Sequence, residues 1–286
     1  IGTLTFLAGG NINYLNTSQT IGAPGTPFSS NLTMQAAGSI TLSNALYMTS
    51  GRTLTLAANK TFTSPNQPGG VANATTTGDV TLQGNYLVDL GVGGSSTITG
   101  RNFSMFGGTL APQVTGGTAP PENPAGEQLR ATGGSINLNT TGAVLLQAGS
   151  ATATSSSGAR LLANTINIGS AGSRVAGLAL IGGTSNVTDA AQQLADAQVV
   201  ATGALNVYTG SGGLMLKGGS ATLNGGAGPT GIASANAMLK GATSVTLDVL
   251  GDVSLLAGGG PAAPGGAMAS AGPANVVSDI GADASA

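Results

Sequence analysis

The 286-residue sequence has no cysteine, no histidine and no tryptophan, and only 6% of its residues are charged. Each absence removes a class of chemistry. Without cysteine there is no disulfide and no thiolate nucleophile; without histidine there is no imidazole base and no zinc site of the usual ligand set. Eight basic residues, scattered from Arg52 to Lys240, stand against ten acidic ones for a net charge of −2, which gives no clustered cationic surface for nucleic acid. No stretch approaches the roughly 18 consecutive apolar residues of a membrane-crossing helix, so no membrane insertion is expected. Aromatic residues make up 3%, too few for a compact core filled by large rings. The chain opens on Ile1 without a Met, a charged n-region or an apolar h-region, and reads as a mature or internal piece of something longer.

What is abundant is glycine, 49 residues, set among short alternating triplets. Leu4-Thr5-Phe6, Ile12-Asn13-Tyr14, Leu32-Thr33-Met34, Ile40-Thr41-Leu42, Leu54-Thr55-Leu56, Val80-Thr81-Leu82 and Ile136-Asn137-Leu138 all read apolar, polar, apolar. A period of two sends the outer residues of each triplet to one face and the central Thr or Asn to the other. The apolar face belongs inside.

In the second half the triplets fall into a longer unit: an apolar pair with Ala or Gly, a triplet, a Gly or Ser turn, a second triplet and a Gly-rich exit. Units start near Leu129, Leu161, Val199 and Leu239, about 32 to 40 residues apart, and a fading copy begins at Val276. Three short strands per unit make one turn of a three-sided β-solenoid, whose stacked turns pair in parallel about 4.8 Å apart. The expected fold is therefore all-β: a right-handed parallel β-helix of about seven or eight coils, some 35 Å long. Residues 1–128 form its less regular coils and 129–286 its regular ones, in one continuous solenoid. Ile136, Ile166, Leu205 and Val245 are expected to stack as one inward row.

Spacers rich in Ala, Gly, Ser or Pro interrupt the units at 148–159, 182–197, 218–236 and 257–274, and fall at one place in the repeat, which predicts loops along one edge. Segments 15–30, 57–76 and 107–127 look like inserts of the same kind. Within one of them, Asp189 to Ala197 carries helix formers and an Asp189-x-x-Gln192 opening like a capping box; a short helix and an irregular loop are both open there.

The texture of AAGSITL at 36–42, SGRTLTLAA at 50–58, TTGDVTL at 76–82 and ATGGSINL at 131–138 resembles the filamentous haemagglutinin-like exoproteins of Gram-negative two-partner secretion, and the passenger regions of some autotransporters. The likeness spreads over nearly the whole chain and rests on no single diagnostic box. The long Pro/Ala/Gly inserts depart from the pattern, and no secretion domain is recognisable. The resemblance implies an extracellular or cell-surface stalk, adhesin or fibre, associated with the outer membrane, with a host-cell or surface glycan as receptor. It carries over no site residues.

β-Helices also host polysaccharide lyases and hydrolases, which is the competing reading. Its best acid pair is Asp248 and Asp252, bracketing the turn Val249-Leu250-Gly251, with no third acid and no Arg in the same unit; turn-stabilising carboxylates are the alternative. Asp79 and Asp252 follow glycines but lack the dense oxygen ligands of a calcium site. Thr3/Thr5, Thr53/Thr55 and Thr97/Thr99 resemble the arrays of ice-binding solenoids, whereas the matching Asn137, Asn167 and Asn206 point to an outward Asn/Thr ladder bonding between coils. Asn-x-Ser/Thr sequons begin at Asn16, Asn31, Asn59, Asn73, Asn102, Asn139 and Asn186. The pairs Gly69-Gly70, Gly93-Gly94 and Gly212-Gly213 lack any phosphate-loop context and read as coil corners.

The sequence thus assigns no catalytic, cofactor-binding or metal residue, and no enzyme activity is expected. The first strand, Ile1 to Leu7, is apolar and uncharged, and Asp279 to Ala286 is too short to cover a coil. Open strand edges at both ends leave two accounts: the chain continues in both directions within a much longer exoprotein, or copies associate, end to end or laterally, into a fibre, and self-association is the expectation carried forward.

Overall fold

The triplets become strands because alternation gives each a wholly apolar side to bury and a short polar side to leave out. A computed structural model describes residues 2–15, 20–60, 62–63, 71–72, 78–84, 86–108, 126–151, 156–187, 192–223, 232–256 and 279–282. All secondary structure among them is β, with no helix. One coil runs through three walls, as in the strands Ala197–Ala201 (first wall), Ala204–Thr209 (second) and Leu214–Lys217 (third). Each wall stacks in parallel on its counterpart in the coils before and after, making a parallel β-solenoid.

The third wall is an eight-stranded sheet from Ile12–Tyr14 to Val253–Leu256, without a break. Its register aligns Ile12, Ile40, Val80, Phe103, Val144, Leu178, Leu214 and Val253 in one inward column. The second wall aligns Leu4, Leu32, Leu54, Ser96, Ile136, Ile166, Leu205 and Val245. The four aliphatic residues expected to form one row therefore do so, and Ile136, Ile166 and Leu205 are fully buried. One core cluster extends from Leu32 to Leu239. Each buried aliphatic side chain contributes about 1.5–3 kcal/mol, offset by the ordering entropy of its residue.

Register, not coil length, is what stays constant. Hydrogen-bonded neighbours on adjacent coils are 22 residues apart at Asn31 and Thr53 but 42 apart at Ser50 and Val92. The first and second walls merge where strands Gly126–Thr140 and Gly158–Ile168 run through both. The corner of the longer strand is a register shift between Ala131 and Ser135. Gly133 there has φ +67°, the left-handed region that favours glycine, and a Cβ on Gly134 would overlap the Gly94 carbonyl of the preceding coil.

The inserts differ from the loops expected of them. Ser150–Ala151, Thr184–Val187 and Ser220–Leu223, each inside one of the spacers of the second half, pair in parallel as a separate three-stranded ladder. Gln192–Leu194 pairs with Ile232–Ser234, so the segment open to a helix or a loop contains a strand at 192–194; its residues 189–191 lie outside the described residues. At 192–194 the helix formers lose because the next coil supplies a pairing edge, while a short helix has only its own few bonds. The excursion is closed at its neck in three successive coils by Gly149 N–H to Ser157 O (2.9 Å), Gly183 N–H to Ala195 O (2.8 Å) and Gly219 N–H to Ala235 O (2.7 Å). Between its limbs lies a small core of Ala151, Ala195, Ala221 and Ala235, which explains the alanine content: only methyl groups fit so thin a layer. The insert 257–274 and most of 107–127 lie outside the described residues.

In the first half the inserts are not of one kind. Within 15–30, Ile21 and Phe28 bridge to Leu46 and Met48, so this segment supplies a rung of the first wall. Segment 57–76 leaves after the second wall, not the third, and contains an antiparallel pairing of Phe62–Thr63 with Val71–Ala72. At the far end, Asp279–Ala282 pairs antiparallel with Ala237–Gly241, so the tail judged too short to cover a coil does cover one strand edge. Leu4 and Phe6 at one end and Val253 and Leu255 at the other terminate inward columns and are 40–56% exposed.

Two outcomes are expected. Ile166→Asp places an unpaired charge in a fully buried column and should cost about 4 kcal/mol or more, melting the adjacent coils together; unchanged thermal unfolding would show that the column is not the core. Gly183→Ala puts a methyl onto the Gly149 carbonyl and should lower the melting temperature markedly, whereas Gly172→Ala, with open space around it, should not.

Candidate functional site

The charged residues are few, and their placement decides what chemistry the walls can perform. Asp79 accepts from Arg101 Nε (3.0 Å) and Nη2 (2.9 Å) and from Asn102 N (3.2 Å) and Nδ2 (3.0 Å). The Arg101 hydrogen bonds hold its carboxyl below the ordinary 3.8. Donors on both oxygens leave them poorly placed to ligate a cation without losing these bonds. Asp89 accepts from Arg130 Nη2 (2.6 Å) of the next coil and from its own Gly91 N–H (3.0 Å).

Asp248 is held by Arg174, which lies 74 residues earlier. Arg174 Nη2 reaches its Oδ2 at 2.5 Å, and Nη1 donates to the Asp248 carbonyl at 2.8 Å and to the Thr209 carbonyl at 3.3 Å. The Arg174 hydrogen bond lowers the Asp248 carboxyl below its ordinary value. The guanidinium also lies 5.9 Å from the centre of the Tyr208 ring. No Arg lies in the same unit of the sequence, and the partner comes from a different coil. Asp252 is exposed across the corner from Asp248, and its described contact is a backbone one, accepting from Leu214 N–H at 2.8 Å. The structure thus makes Asp248 part of an inter-coil clamp. Among the described residues, no group of three metal-ligating side chains is present.

The outward ladder is as expected. Thr5, Thr33, Thr55, Thr97, Asn137, Asn167, Asn206 and Thr246 occupy one outward column of the second wall on eight successive coils. Asn167 Nδ2 donates to Asn137 Oδ1 (2.8 Å), and Asn206 Nδ2 to Asn167 Oδ1 (2.9 Å), along the axis. The first four rungs carry Thr, the next three carry Asn tied to one another by amides, and the eighth carries Thr again.

The sequons separate by use. Asn102 is committed on both amide atoms, to Asp79 and to Ala143 N–H (2.9 Å), and Asn31 Oδ1 accepts from Thr53 N–H (3.0 Å). Asn59 has φ +56° and a buried Oδ1. Asn139 and Asn186 are exposed; Asn16 and Asn73 lie outside the described residues. Gly93-Gly94 and Gly212-Gly213 are corners, with Gly93 and Gly213 at φ +71°; Gly69-Gly70 lies outside the described residues.

Glu127 is the residue that sequence reasoning missed. It is 1% exposed and occupies an inward column whose next three members are Ala159, Ala197 and Ala237. Tyr86 N–H donates to it at 3.3 Å. Burial raises its carboxyl well above the ordinary 4.5, with the Tyr86 bond acting the other way. The signal available was its position in the unit, one residue before Gln128-Leu129, where later coils have alanine.

No family model matches the chain, and neither a curated protein nor a solved structure matches it. The site therefore has to be read from its own geometry.

A raised acid stabilises the fold fully only below its unfolded value, and its contribution is lost as pH rises through the folded one. Glu127→Gln is therefore expected to raise the melting temperature at pH 7 by about 2–4 °C, with the two proteins converging below pH 4.5. Wild-type and variant melts that stay parallel from pH 4 to pH 8 would contradict a buried, proton-holding Glu127. Asp79 acts in the opposite sense: its contribution is present above 3.8 and is lost as pH falls through its lowered folded value.

Proposed function

We propose that the protein is a structural element of a bacterial surface: an exported β-solenoid stalk that adds to copies of itself to build a fibre. The observation that supports this reading most is the use of the acids. Asp79, Asp89 and Asp248 each grip an arginine, all as clamps within the coil stack, and no set of them converges on a common point. Such a molecule resists pulling along its axis because each described coil is bonded to the next through two or three walls of backbone hydrogen bonds. Leu4 and Phe6 at one face and Val253 and Leu255 at the other are column ends that a further coil, of this chain or of another copy, would cover. The uncharged Thr/Asn column offers a flat side for lateral contact. The lyase or hydrolase reading draws less support, since Asp248 is engaged by Arg174.

Analytical ultracentrifugation with negative-stain microscopy tests the assembly. Concentration-dependent growth into rods of constant width is expected; a soluble monomer over a hundredfold concentration range would sink the fibre and leave a simple stalk. Protease treatment of intact cells tests the location, since a surface stalk should be shed and an internal protein should survive. In a reducing-sugar release assay on acidic and neutral polysaccharides, wild type and Asp248→Asn with Asp252→Asn should be equally inert. A wild-type activity lost in the double variant would restore the enzyme reading.

A further inference from the structure

The outer face of the second wall changes character along the axis. Where its outward column carries Asn137, Asn167 and Asn206, the amides bond one another and are spent. On the first four coils the same column carries Thr5, Thr33, Thr55 and Thr97, and the neighbouring one, two residues earlier on each strand, carries Thr3, Asn31, Thr53 and Ser95. Asn31 Oδ1 accepts from Thr53 N–H, but among the described residues the hydroxyls of these Thr and Ser side chains have no hydrogen-bond partner. The reason is reach. Neighbours in register stand about 4.8 Å apart along the axis, a gap that an Asn amide crosses and a Thr hydroxyl, which bonds at about 2.8 Å, does not. Each hydroxyl therefore bonds water, and the water site of one rung recurs on the next. The outward positions of the four strands, Thr3–Ala8, Asn31–Ala36, Thr53–Ala57 and Ser95–Gly100, carry no charge, and their pairing runs without a register shift.

We infer that this half of the face binds ice. The ligand is then a crystal surface, and what recognises it is a rigid, uncharged, repeating array in place of a pocket. Rungs recur about every 4.8 Å and the two columns lie about 6.6 Å apart, close to the two repeats at which oxygens recur on a prism face of hexagonal ice. β-Branching fixes each Thr at χ1, so hydroxyls and methyls repeat with little rotamer freedom left to lose on binding. Waters held at the hydroxyls already have the spacing of the lattice they join. A flat polysaccharide fits less well, since sugar rings stack on aromatic side chains and the two columns have none. A lateral copy of the chain fits less well too, because it would bury these hydroxyls against groups that offer them no fixed partner. The third wall shows no such order: its outward column passes from Thr81 through Ser104 to Leu145 and Ala179. The array is complete within one chain, so it stands whether or not copies assemble.

Thermal hysteresis of the full chain, with its partition into slowly grown ice, tests the assignment. The chain is expected to open a gap between the melting and freezing points, to shape the growing crystal into facets and to enter the ice. Thr55→Tyr, which raises a ring within the array and keeps a residue that strands favour, should reduce the hysteresis at least tenfold, whereas Thr81→Tyr on the third wall should leave it unchanged, each variant first shown to melt as wild type does. Should Thr55→Tyr fail to fold, Thr33→Lys with Thr97→Lys, which sets hydrated charges on the array, gives the same reading. Exclusion of wild type from ice, absence of hysteresis at submillimolar concentration, full activity in the folded array variants or an equal loss in Thr81→Tyr would each overturn the proposal. Full ice activity in Thr55→Tyr together with fibres of altered width would overturn it in favour of a lateral contact between copies.

Discussion

Everything in this molecule depends on parallel backbone pairing that repeats in register from coil to coil. A residue on one wall lies over the corresponding residue of the previous coil, so a side chain is selected by its column neighbours and not by its sequence neighbours. The inward columns Ile12 to Val253 and Leu4 to Val245 are consequently apolar from end to end, except for Ser96 between Leu54 and Ile136. Because the pairing fixes only where strands return, the segments between walls are free to vary, which is how coils of very different length stack without a fault.

The same pairing explains the low charge. A coil stacked on both sides has little room for charged side chains on its inward face, and the described ion pairs lie at a corner or on outward strand positions. Each links residues far apart in sequence and holds two coils, or three in the case of Arg174, to a common register. Their net energies are modest because they are partly solvated. Their effect is on specificity of stacking, since an arginine without its acid on the other coil would lose its hydrogen bonds. Glu127 departs from this pattern: it is an acid placed inside, where later coils use alanine, and its burial favours the protonated form.

The inserts show how a repeat can extend sideways. Once glycine allows the chain to leave the third wall without a clash, the excursions of successive coils lie over one another and pair as the walls do. A methyl-only core then suffices, and the layer so formed stands beside the first wall. Alanine, which in isolation signals a loop here, is the residue that fills the buried positions between the two limbs of the layer.

By itself the sequence determined the strand triplets, the inward and outward faces, the three-walled coil and the aliphatic row through Ile136, Ile166, Leu205 and Val245. These follow from alternation and spacing, which are local or nearly periodic and survive in a linear reading. The Asn ladder was legible for the same reason, since Asn137, Asn167 and Asn206 occupy the same place in successive units. Only the tertiary structure decided the pairing of Arg174 with Asp248, the strand at 192–194 and the antiparallel tail on Ala237–Gly241. Each of these arises between coils whose separation in sequence is not constant, so no spacing announces it. A strand formed by pairing with another coil's edge, or a carboxylate bonded across 74 residues, exists only once the stack has set which residues are neighbours.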